Sequence, residues 1–272
     1  MALDAEAAAC LAWSARICSV GLVWQSLELA WLGRELRDGH VLGRESARAL
    51  AGASVASVSE GDWSSDRLFL LVRALAGAAC WFLPFGTAAS AGVLVGLFVG
   101  QLYFNRRFAI VLTNADHLNL LCLGALAAAG WPGASFGLRA LALGFIAFHG
   151  LFGYVAAGVD KLLAGNWRTG VRLVAVFQDS SYRVPALAKL ASRPPIGALL
   201  AWGTILLEVF FPLCLVLPPS GLWTFLAAGI LFHAIIGVAM GLPMFLWAFG
   251  ATYPAMYFVH EWLAAWWRAA PN

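Results

Sequence analysis

Charged side chains are scarce in this 272-residue chain: 17 basic and 14 acidic residues make up 11 %, against 62 % hydrophobic residues. A soluble protein of this size needs roughly a quarter of its residues charged to cover a water-facing surface. The shortage means that lipid supplies most of the solvent, with polar groups confined to the interior and to short wet loops. Disorder, a collagen repeat, a disulfide scaffold and a nucleic-acid module are excluded by the same arithmetic. Metal-site signatures are missing too. The five cysteines, Cys10, Cys18, Cys80, Cys122 and Cys214, lie in apolar stretches without a CxxC pair, which reads as packing. The histidines lack i, i+4 spacing and no Glu-x-x-His pair occurs, so no metal is expected. The first ten residues are acidic rather than basic and the first apolar run continues too far for a cleaved leader, so that run is expected to be a membrane helix.

What is present is apolar runs of spanning length, about 20 residues with 17 to 25 tolerated. The sequence predicts an all-α, polytopic transmembrane helical bundle of about eight spans, forming a single domain over residues 1–272. They are Ala8–Leu32, Leu68–Pro84, Thr87–Phe104, Ala109–Gly130, Leu138–Lys161, Ile196–Leu217, Leu222–Met240 and Phe245–Trp262. Leu42–Val58 reads as an interfacial helix. Asn166–Ala191 is polar and basic, and its apolar run Val171–Phe177 is too short to cross. Gly92, Gly96 and Gly100 form a small-residue ladder that permits close helix packing, within the chain or in a homodimer. Thirteen tryptophans gather near predicted span ends, as an interfacial belt does. With eight spans, Arg34, Arg37, Arg44, Arg48, Arg106, Arg107, Arg168, Arg172, Arg183, Lys189 and Arg193 share one side, leaving Arg139 and Arg268 opposite. The positive-inside rule makes the basic side cytoplasmic, with both termini outside.

Ionisable residues at membrane depth are costly, and their default reading is functional. The fourth predicted span holds Thr113, Asn114, Asp116, His117 and Asn119, with Asn114 and His117 on one helix face. The fifth holds His149, Tyr154, Asp160 and Lys161, with Tyr154 and Lys161 two turns apart on one face. His233 and Glu208 come from the seventh and sixth. Glu208 reads as a structural partner for a histidine or an arginine, and Asp160 as a helix-end charge. His40 and His260 lie near span ends and carry no expected chemistry. One polar cavity would accommodate Asn114, His117, Lys161 and His233 together. A lysine held there loses affinity for its proton and becomes a general base, beside groups able to steady an oxyanion. A membrane-dissolved quinol suits this equipment.

At these residues a resemblance emerges. The segment YVAAGVDKLLAGNW, Tyr154 to Trp167, resembles the signature of the vitamin K-dependent gamma-carboxylase and its bacterial relatives, the horizontally transferred transmembrane (HTTM) family. That pattern runs Tyr, two residues, a small residue, Gly, two residues, Lys, Leu, then Trp. NADHLNLLCL is similar to the family's Asn-His segment, and ILFHAIIGVAMG to its third motif; in their order and spacing the three extend the resemblance over most of the chain from Asn105 to Pro254. The resemblance implies that Lys161 deprotonates reduced vitamin K, a menaquinol- or phylloquinol-like cofactor, that His117 and Asn114 hold the quinol oxygen, and that His233 orients the oxygenated product. Tyr154, His149 and Trp167 would line the cofactor site. It further implies use of O2 and CO2, epoxidation of the quinone and carboxylation of a glutamate in a peptide or protein substrate, in a bacterial inner membrane.

The chain departs from the carboxylase in two respects. Asp160 stands where the first of two consecutive lysines is found, and the large lumenal region that follows the carboxylase's spans has no counterpart. Substrate recognition is therefore expected to differ. A second reading is a non-catalytic membrane protein that assists maturation, export or immunity of a small antimicrobial peptide. A proton-coupled transporter ranks below both, because neither an inverted repeat nor paired broken helices are visible.

Overall fold

The computed structural model describes residues 2–33, 35, 37, 63–178 and 184–269. The predicted interfacial segment Leu42–Val58 lies outside them. Every described element is helical. Among the described residues, five helices are long and apolar enough to cross a membrane: Leu3–Trp31, Ala88–Arg107, Phe136–Leu163, Pro195–Leu215 and Pro219–Met240. The chain divides into two compact units, Met1–Leu143 and Gly144–Asn272, and the boundary falls inside the third of those helices.

In the first unit, α1 (Ala2–Trp31) packs on α2 (Trp63–Ala79) and on α4 (Asn114–Ala129), while α3 (Ala88–Arg107) packs on α2 and α4. Gly77 lets α1 and α2 meet, since a Cβ there would lie 2.9 Å from Val23 and 3.3 Å from the Ser19 carbonyl. Leu29, Ala30, Leu70, Phe104 and Phe108 form one apolar cluster, flanked by Phe69, Val111 and Leu112. The glycine ladder makes no such approach. A Cβ at Gly92 or Gly96 would meet no atom within 4 Å among the described residues.

Helix α5 (Phe136–Leu163) carries the chain into the second unit. Three short helices follow, α6 (Gly165–Arg168), α7 (Val171–Gln178) and α8 (Pro185–Ala191). Then come α9 (Pro194–Phe210), which ends in a 3-10 stretch at Phe211–Leu215, and α10 (Pro219–Met240), α11 (Met244–Gly250) and α12 (Tyr253–Ala269). Helices α5 and α9 approach closely at Gly158, where a Cβ would lie 2.8 Å from the Val209 backbone nitrogen and 2.9 Å from Glu208 Cβ. Backbone cannot swing away as a side-chain tip can. Gly158→Ala is therefore expected to cost about 1–3 kcal/mol by overpacking, read as a lower thermal midpoint in detergent.

Three predicted spans take other forms. Ala109–Gly130 is interrupted: Ala109–Val111 is a 3-10 turn, Leu112 is extended, and the α-helix starts only at Asn114. Its 16 residues rise about 24 Å, short of the ~30 Å hydrocarbon thickness. Phe245–Trp262 is broken between Gly250 and Tyr253, with Pro254 in the first turn of the second piece. Leu68–Pro84 becomes a 17-residue helix that closes through turns after Ala79.

Candidate functional site

The second unit gathers Tyr154, Lys161, Trp167, Glu208 and His233. Lys161 lies in the last turn of α5, where its Nζ is 3.3 Å from the Ala157 carbonyl. That position suits a cation, because unpaired carbonyls leave negative charge at a helix C-terminus. Nζ donates to both oxygens of Glu208, at 2.9 and 2.8 Å, and sits 5.3 Å from the Trp167 ring centroid. The lysine side chain is 18 % exposed and the glutamate 5 %. The expected isolated amine is instead a carboxylate-bound one, and the partner of Glu208 is a lysine rather than a histidine or an arginine. Adjacent Asp160 is exposed, as neighbouring residues on a helix point apart.

Two turns back on the same face, the buried Tyr154 shares a 2.7 Å hydroxyl–hydroxyl hydrogen bond with Tyr253. Its ring stacks on Phe211, with centroids 3.7 Å apart and planes 6° from parallel. Gly229 admits this pair, because a Cβ there would collide with both hydroxyls and the Phe211 ring. One turn further along α10, His233 stacks on Phe249 at 4.3 Å and lies 5.4 Å from the Tyr154 ring. His233 is 3 % exposed, and neither ring nitrogen has a hydrogen-bond partner among the described residues. A buried imidazole is normally satisfied, so this one is equipped to receive a polar group.

His149 does not join them. It is offset from both Tyr154 and Lys161 around α5 by more than 100° at 100° per residue, and its Nδ1 lies 2.9 Å from the Phe145 carbonyl on its own helix. Its ring packs on Phe145 and Phe148.

Asn114 and His117 belong to the first unit, and both are exposed. They lie in the first turns of α4, which Thr113 and Asp116 close as a capping box: Asp116 Oδ2 accepts from the Thr113 backbone N–H at 2.8 Å. His117 Nδ1 lies 3.2 Å from the Thr113 carbonyl. The buried polar residues of this helix are Asp116 and Asn119, three apart on another face.

Asp116 leads to a network that hydropathy did not single out. Its Oδ1 accepts from Gln25 Nε2 at 2.7 Å. Arg73, 3 % exposed, donates to Gln25 Oε1 at 3.1 Å, to Ser26 Oγ at 2.9 Å and to Gln101 Oε1. Gln101 in turn donates to Asn105 at 2.7 Å. The guanidinium lies 4.3 Å over the Phe104 ring. Nearby in the same unit, fully buried Arg107 and Asp66 form a 2.8 Å ion pair. The signal available in the sequence was simply an arginine and an aspartate within apolar helices, which the bilayer tolerates only when they are paired. Comparisons with family models, with curated proteins and with solved structures each return no match.

Proposed function

We propose that this chain is an integral membrane enzyme of the gamma-carboxylase-like, HTTM kind, in which the Lys161–Glu208 pair exchanges a proton with a membrane quinol. The observation that carries the proposal is the presence, within one unit, of that pair and of a ring-lined buried imidazole, His233, that has no hydrogen-bond partner among the described residues. The donor set suits a reduced naphthoquinone. The His233 nitrogens offer a donor and an acceptor to its oxygens, and the stacked rings of Tyr154, Phe211 and Phe249 make the surroundings of that imidazole apolar and aromatic. When bound, the quinol would be oxygenated by O2 and so supply a base strong enough to remove a weakly acidic C–H, with CO2 as the carboxyl carbon, for carboxylation of a glutamate-containing substrate.

The chain's own share is proton handling. Transfer of a proton from Nζ to Glu208 along their hydrogen bonds would leave an amine and a neutral acid. Nζ is then a base able to take a hydroxyl proton, and the ammonium that forms stands ready as counterion to the oxyanion. The Trp167 face limits water at the amine. In this reading α2, α4 and the α11–α12 pair complete eight crossings of a bacterial inner membrane.

Lys161→Arg provides the test. Arginine keeps the carboxylate bridge and the fold, but it does not give up its proton. Purified protein supplied with reduced menaquinone and O2 is expected to consume quinol and form its epoxide. The arginine variant should be slower by roughly 10²–10⁴-fold. Equal rates in parent and variant would remove the lysine from the chemistry. No consumption by the parent, with undiminished peptide maturation in cells carrying the variant, would favour the non-catalytic reading.

A further inference from the structure

The described parts of the connection between α5 and α9, residues 164–178 and 184–193, form a folded platform. Gly170, at φ +79°, sits so tightly on the start of α9 that a Cβ would lie 2.5 Å from the Gly197 carbonyl carbon. Gly197 in turn is 2.6 Å, by the same measure, from the Ala191 carbonyl oxygen. Leu173, Ala188 and Ala191 are buried beneath. These contacts pin α6, α7 and α8 to one another and to the first turn of α9.

The charge on this platform is one-sided. Between Leu163 and Pro194 the sequence carries Arg168, Arg172, Arg183, Lys189 and Arg193 against the single acid Asp179. The other connections of this unit, 216–218 and 241–252, carry no charge at all. Arg168, Arg172, Lys189 and Arg193 are exposed, and none has a carboxylate partner among the described residues. Exposed Leu163, Val171, Leu190 and Leu199 stand among them. A cavity of about 370 Å³ opens beside α8, lined by Gln178, Pro185, Ala188, Lys189 and Ser192, which is within the range of small-molecule sites. Two of its lining residues are bonded to each other, Gln178 Nε2 donating to Ser192 Oγ at 3.1 Å.

Fixed cations mixed with apolar side chains, at the ends of two spanning helices, match one partner. We infer that the platform binds the phosphodiester headgroup of an anionic bilayer lipid, with Lys189 at the cavity and Arg172 and Arg193 beside it. The apolar side chains enter the acyl region, while the cations stay at headgroup level. Zwitterionic lipid lacks the net negative charge that unpaired cations select. This inference is independent of the quinol chemistry.

The full chain, exchanged into mixed micelles with equal phosphatidylglycerol and phosphatidylcholine, is examined by native mass spectrometry of retained lipid. Phosphatidylglycerol is expected to be preferred. Each cation removed should cost roughly fivefold, so the triple variant R172Q/K189Q/R193Q should lose about a hundredfold of that preference, whereas Arg268→Gln should lose none. In the parent, 1 M salt should abolish the preference, since the Debye length falls to about 3 Å. Equal retention of both lipids by the parent, a preference that survives 1 M salt, or displacement of lipid by an equal concentration of inorganic phosphate would each overturn the inference. So would an unchanged preference in the triple variant.

Discussion

Lys161→Met is expected to destabilise the protein more than Glu208→Met, although the two remove halves of one ion pair. The reason is the difference in burial. Without Lys161, a carboxylate that is 4 % exposed is left with no counterion, and stranding a buried charge costs about 3–5 kcal/mol. Without Glu208, the ammonium rides on a flexible stem that is already 18 % exposed, and it can swing toward water. Replacing both by methionine should recover most of the loss, because an apolar pair of similar volume often matches or exceeds a buried ion pair. Thermal unfolding of the two single variants and the double, in one detergent, measures the coupling. A double variant as unstable as Lys161→Met would show that the carboxylate serves some other partner. Quinol consumption should be lost in all variants that lack the lysine, including the stable double one, which separates the chemistry from the fold.

Arg73→Met should produce the second large effect. This guanidinium serves three acceptors on α1 and α3, Gln25, Ser26 and Gln101, and covers the Phe104 ring. Methionine fills part of the space but leaves those acceptors short of donors and Asp116 without a nearby cation. A loss of about 3–5 kcal/mol follows for breaking a buried charged network. Arg73→Lys should restore less than half of it, since one ammonium cannot reproduce the forked geometry. Hydrogen exchange provides the local readout: amides of α1 and α3 facing Arg73 should lose protection first, while those of α10 should not change. Uniform loss of protection across both units would refute a role confined to the first.

The sequence made the lipid-embedded helical class legible, because composition alone decides it. Within the fourth predicted span the α-helix starts later than hydropathy places it, at Asn114, because hydropathy averages over a window whereas a helix start is set by four residues. Thr113-Asn-Ala-Asp116 spells a capping box, so its polar side chains belong to a helix end. The same residues had read as polar groups at membrane depth. The expected cavity joined Lys161 and His233 to Asn114 and His117; the first two belong to the second unit and the other two to the first, while the Tyr154–Lys161 spacing correctly fixed one face of α5. Their actual neighbours were illegible. Glu208 is 47 residues from Lys161, and Tyr253 is 99 from Tyr154, separations at which no local pattern operates. Arg73 and Asp66 both lie on α2, and their partners come from α1 and α3. Pairing across helices makes such residues tolerable, and a single sequence does not display it.

The two oxygens of Asp116 are divided in their duties, one closing the start of α4 and the other gripping Gln25 on α1. A bilayer resists the tilting of a helix only weakly and hardly opposes its sliding lengthwise over small distances. Bolted at its first turn to a neighbour, the short helix α4 acquires an axial register that its own length is insufficient to impose.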